Sequence, residues 1–144
     1  MGPGIVGTGT PYGFTGIEQG YIADAVNDLG GIPILVPRIT FKDKRERHYG
    51  ISHHSMTVLG KIMKTRSNIA LPKFSIQQEK IIQKQLKENG LIHKHNIFRV
   101  ETDILKDALE HYKLEVRTMG RSPADDPEFF NTCSASAIYA DSLL

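Results

Sequence analysis

The chain has 144 residues, 40% hydrophobic and 24% charged, a length that suits a single α/β domain over 1–144 with a real core. No apolar run approaches the roughly 20 residues of a membrane span, and no basic n-region opens the chain, which predicts neither a membrane helix nor a signal peptide. A single cysteine, Cys133, excludes an internal disulfide and fits a reducing cytoplasm, and a net charge of +2 is too small to argue for nucleic acid.

In chain order, Ile5-Val6-Gly7-Thr8-Gly9 reads as a short first strand. Thr15 with Glu18 makes a capping box for a helix whose apolar face is Ile17, Tyr21, Ile22, Ala25, Val26 and Leu29, stopped by Gly30-Gly31. Ile32 to Pro37 follows as a second strand, continuously apolar as in a sheet covered on both faces. Ser52 is placed to cap a helix to about Lys64, and 68–72 reads as a third strand. Ser75 with Gln78 forms a second capping box, opening a helix that Gly90 ends. A fourth strand at 96–100 and a helix capped by Thr102 come next, then a fifth strand at 114–119. Asp126 and Pro127 start the last helix, with Phe129, Phe130, Cys133, Ala137 and Ala140 inward, which reads Cys133 as a buried, inert thiol. This alternation predicts a three-layer αβα domain with a mostly parallel open sheet of about five strands, Rossmann-like in plan. Both ends are abrupt, so a piece of a longer protein, with an N-terminal portion missing, is the expectation.

Nine of the 13 glycines fall in the first 31 residues, and the first cation is Arg38. Gly2-Pro-Gly-Ile-Val-Gly7 matches G-x-G-x-x-G, yet it precedes and enters the strand, where the dinucleotide fingerprint requires strand, then glycines, then helix. Strand two ends in Arg38 where a ribose-binding acid would stand, and no Walker sequence occurs. The run Arg38-Ile-Thr-Phe-Lys-Asp-Lys-Arg-Glu-Arg-His48 reads as a solvated basic connection, or as a loop holding phosphate or RNA, although no interleaved aromatics offer a base-stacking surface.

Ligands of open parallel sheets bind beyond the carboxyl ends of the strands. That rule gathers Gly7, Thr8, Gly9, Thr10, Thr15, Gly16, Arg38, Ser52, Glu101 and Arg121 as candidate ligand contacts, with Lys73 at the same edge. Amides and cations together make an anion site for a phosphate or carboxylate. His53 and His54, at a helix start, are the candidate catalytic residues: neutral imidazoles there serve as base, or as metal ligands together with His48. Ser52 or Ser55 is a candidate nucleophile beside them, although no G-x-S-x-G elbow exists. His93 and His95 fall at the opposite edge.

Gly2-Pro-Gly-Ile-Val-Gly-Thr-Gly-Thr10, Gly50-Ile-Ser-His-His-Ser-Met-Thr-Val-Leu-Gly60 and Thr118-Met-Gly-Arg121 together resemble an uncharacterised bacterial family, domain of unknown function 3866, over most of the chain. The resemblance implies a bacterial, cytoplasmic protein and the later part of a longer one; it brings no activity, cofactor or catalytic residue. Three function classes therefore stay open: an anionic small-molecule-binding domain with or without catalysis, an assembly domain that is homo-oligomeric or completed by a missing N-terminal part, and a metal-dependent enzyme using the clustered histidines.

Overall fold

The computed structural model describes residues 5–144, so the Gly2-Pro-Gly4 part of the opening motif lies outside the described residues. Six α-helices and four short strands are present among them: α1 (Glu18–Asp28), β1 (Ile39–Thr40), β2 (Gly50–Ile51), α2 (His53–Thr57), β3 (Asn68–Pro72), α3 (Ile76–Glu88), α4 (Leu91–Lys94), β4 (Asn96–Val100), α5 (Leu105–His111) and α6 (Pro127–Asp141). No helix among the described residues is long and apolar enough to cross a membrane.

The expected five-stranded parallel sheet is not present among the described residues. β3 and β4 pair in parallel, from Asn68 opposite Asn96 to Pro72 opposite Val100, and β1 and β2 pair antiparallel in a separate two-stranded sheet. The three other expected strands each shrink to an isolated bridge, for identifiable reasons. Residues 5–9 turn back on themselves, Gly7 bridging Phe14. The segment 32–37 touches β3 only through Ile34 and Asn68, because Pro33 and Pro37 have no N–H to extend the ladder. Residues 114–119 end in a tight turn in which Thr118 and Arg121 exchange both backbone hydrogen bonds around Met119 and Gly120, both at positive φ.

What remains is a core built around β3. Ile69 and Leu71 are fully buried among Ile82 and Leu86 of α3, Leu91 of α4, and Leu59 and Met63. Ala70 points the other way, as strand alternation requires. Its partner Phe98 stacks on Tyr139 of α6, with centroids 4.4 Å apart, so α6 covers that face. The buried stripe of α6 is Phe130, Thr132, Ala135 and Ser136, which leaves Cys133 and Ala137 exposed, contrary to the inward stripe expected. Two hydroxyls are tolerated there because Thr132 Oγ1 donates to Glu128 O (2.7 Å) and Ser136 Oγ to Thr132 O (3.1 Å).

The capping box at Ser75 and Gln78 is complete. The one expected at Thr15 is not formed: Thr15 Oγ1 accepts from Val6 N instead (3.1 Å) and ties the loop 6–15 closed. Asp126 precedes Pro127 at the start of α6, but its carboxylate caps nothing. It is fully buried, accepts from Thr40 Oγ1 (2.7 and 2.8 Å) and pairs with Arg121 Nε (3.0 Å).

A cleft of histidines and arginines

The glycine loop closes through its own threonines. Thr8 N and Oγ1 both donate to Gly13 O (2.7 and 3.2 Å), Gly13 N donates to Thr10 Oγ1 (3.1 Å), and the two hydroxyls meet at 3.0 Å. Gly9 sits at φ 83°, where a side chain is strained, and a Cβ on Gly13 would overlap both hydroxyl oxygens. The glycines thus serve a compact turn.

That turn forms one side of a cleft of about 550 Å³. Gly7, Gly9, Thr10 and Gly13 line it from the loop, together with His48, His53 and His54 and with Arg38, Arg45, Arg47, Arg117, Thr118 and Met119. Among the described residues, four guanidinium groups and three imidazoles line the cleft, and no carboxylate does.

Local chemistry sets the imidazoles. β1 and β2 bring Arg38 beside Ser52 and Ser55: Ser52 N donates to Arg38 O and Arg38 N donates to Ser55 Oγ, each at 2.9 Å. Ser52, 1% exposed, places its hydroxyl 2.9 Å from His48 Nδ1. The rings of His53 and His54 are 4.0 Å apart, His48 lies 4.8 Å from His53, and Phe14 stacks on His54 at 4.4 Å. One nitrogen of each imidazole lies within 4.8 Å of those of the other two. His53 Nε2 is buried and has no hydrogen-bond partner.

Burial, followed by Arg45 and His53, pushes His48 down to about 4. Burial and then Arg47 and Arg45 lower His53; burial, His53 and the same arginines lower His54. All three are neutral at pH 7 with nitrogen lone pairs available. Burial and the neighbouring arginines and imidazoles, not the start of α2, are the causes of these shifts.

The arginines differ in their ties. Arg45 grips Asp43 through Nε (3.0 Å) and Nη2 (2.8 Å), which holds the Asp43 carboxyl well below its usual range. Arg38 donates to Thr118 Oγ1 (3.2 Å) and lies 5.0 Å from the Phe129 ring centroid. Arg47 has no ion-pair partner among the described residues and is exposed.

The matching family model covers residues 1–137 of the 144 and is described as "Protein of unknown function (DUF3866)". The chain belongs to this family. No curated protein and no solved structure matches it.

Of the residues that the carboxyl-edge rule gathers, the DUF3866 fold brings Gly7, Gly9, Thr10, Arg38, His53 and His54 to one cleft, with Ser52 behind His48. Thr8 is spent inside the loop, Thr15 ties the loop base, and Gly16 packs under Ile5. Glu101 is exposed and paired with Lys73, and Arg121 is bound to Asp126 and Lys42 O, so neither lines the cleft. Ser52 is buried behind His48, and Ser55, whose Oγ accepts from Arg38 N, does not line the cleft, so neither serine faces it. His95 is a core residue: it accepts from Ser67 N at Nδ1 (3.2 Å) and its Nε2 lies 2.9 Å from Leu59 O. Sequence reasoning did not single out Arg45, Arg47 and Arg117 as cleft residues; the available signal was the pair Arg45 and Arg47 just before His48 within the basic run.

Proposed function

We propose that this domain binds a small anionic ligand, phosphate- or carboxylate-bearing, in the cleft between the glycine loop and the three histidines. The observation that carries the reading is charge: four arginines border the cleft and no carboxylate balances them there, while Asp43 neutralises only Arg45. Guanidinium groups pair with carboxylate and phosphate oxygens in bidentate geometry, so an anion is the complementary guest. Neutral His53 and His54 beside such a guest have the lone pairs for proton transfer, which is the form an enzymatic role would take. Calorimetric titration of chelator-treated protein with phosphate, pyrophosphate and citrate tests this. Saturable binding is expected, weakened roughly tenfold by Arg47→Ala, as losing one charge-assisted contact would do. Equal binding by the variant, or none by the parent, contradicts it.

An assembly role is the second reading, favoured by a different surface. Tyr21, Ile22 and Leu29 on and just after α1 are exposed, as are Ile32 and Val36 on the short segment beside β3. Light scattering tests this surface for self-association: a stable dimer that Ile22→Glu dissociates supports it, and a monomer overturns a homo-oligomeric role.

A further inference from the structure

We propose that His48, His53 and His54 bind one divalent transition metal of the zinc class, in a site left open toward the cleft and completed there by the anion. The metal half stands on the imidazoles alone; the completing anion rests on the reading above.

Three features point to a metal. The three nitrogens already lie within 4.8 Å of one another, and tetrahedral bonds of about 2.0–2.1 Å would set them roughly 3.3 Å apart, a closure within reach of side-chain rotation. His53 Nε2 is a buried nitrogen with no partner, which a bound ion would satisfy. Ser52 Oγ lies against His48 Nδ1, so when that nitrogen donates to the hydroxyl, Nε2 presents its lone pair; this is the outer support that orients metal-bound histidines.

The donor set selects the metal and its role. Imidazole nitrogens suit zinc, cobalt, nickel and copper, whereas magnesium, calcium and manganese favour oxygen, and no carboxylate lines the cleft. Three protein ligands leave a position open, unlike the closed four-ligand structural sites. Neutral imidazoles cancel none of the ion's charge, and Arg47 stands nearby, so the ion needs an anion as the fourth ligand. Metal and anion then strengthen each other's binding by one shared factor.

The test is a titration of the chelator-stripped full chain with cobalt(II), followed by visible absorption and paramagnetic broadening of histidine NMR signals. One equivalent with the intense absorption of four- or five-coordinate cobalt is expected, displaced by zinc, with broadening centred on His48, His53 and His54. His53→Ala and His54→Ala abolish the band, and Ser52→Ala weakens binding roughly tenfold while keeping one site. The wild-type broadening pattern decides the site even where a variant fails to fold. No stoichiometric binding, or broadening centred on His93 or His111, overturns the proposal. Inorganic phosphate is then added to the cobalt form: a changed band supports the shared anion. An unchanged band overturns that half alone, and calorimetry on the metal-free protein reports separately on the anion cleft.

Discussion

Arg121 and His95 show how one residue type divides between structure and site. Arg121 looks like an anion contact by its place after the last expected strand, yet Asp126 is fully buried and Arg121 is its only ion-pair partner among the described residues. Removing it strands a buried carboxylate with only the Thr40 hydroxyl. Arg121→Ala is therefore expected to destabilise by about 3 kcal/mol in urea unfolding, the low end for broken buried pairs. A correctly folded fraction of that variant should keep the parent's phosphate affinity. His95 titrates against the fold. Burial, outweighing the opposing bond to Leu59 O, lowers it from 6.5, with Lys94 and Arg66 adding to the shift. Its folded value lies below its unfolded one, so its stabilising contribution is complete above about pH 6.5 and is lost as the pH falls below that. The urea midpoint should drop between pH 7 and pH 5, and His95→Gln should show a shallower drop from a lower start.

At the scale of elements, the long periodic segments were legible and the glycine- and proline-rich ones were not. α3 carries its capping box and α6 its Asp-Pro start, and β3 and β4 lie at the residues expected of them. The misread segments share a cause: apolar residues suggested strands where the backbone could not pair. Pro33 and Pro37 interrupt one, and threonine hydroxyls close another into a loop. The short β1 and β2 were invisible because their register depends on Gln85, whose Oε1 accepts from Ile51 N (2.8 Å) and whose Nε2 donates to Tyr49 O (2.9 Å). Gly50, at φ 78°, leaves the space for that amide. Gly50→Ala should cost roughly 1–3 kcal/mol through backbone strain and the displaced Gln85. Gly13→Ala should cost a similar amount, roughly 1–3 kcal/mol, because its Cβ displaces the Thr8 and Thr10 hydroxyls that close the loop, and should weaken phosphate binding; unfolding and titration of the same variant check both halves.

Across the whole molecule, the carboxyl-edge rule found part of the cleft for a reason other than the one it assumes. The glycine loop, Arg38 and His53-His54 meet because β1 and β2 fold the basic run back beneath the loop, without a five-stranded sheet to align them. Glu101, at the end of β4, consequently stands outside the cleft. The histidine pair was readable from the sequence; the arginines around it were hidden in what resembled a solvated connection. The central claim is that these groups form one anion-binding cleft. A crystal structure of the protein grown with pyrophosphate tests it most directly. The account predicts a phosphate group within hydrogen-bond reach of Arg47 and Arg38, beside His53 and the Gly7–Thr10 turn. Pyrophosphate bound only elsewhere, with Arg38 and Arg47 both turned to solvent, would contradict it.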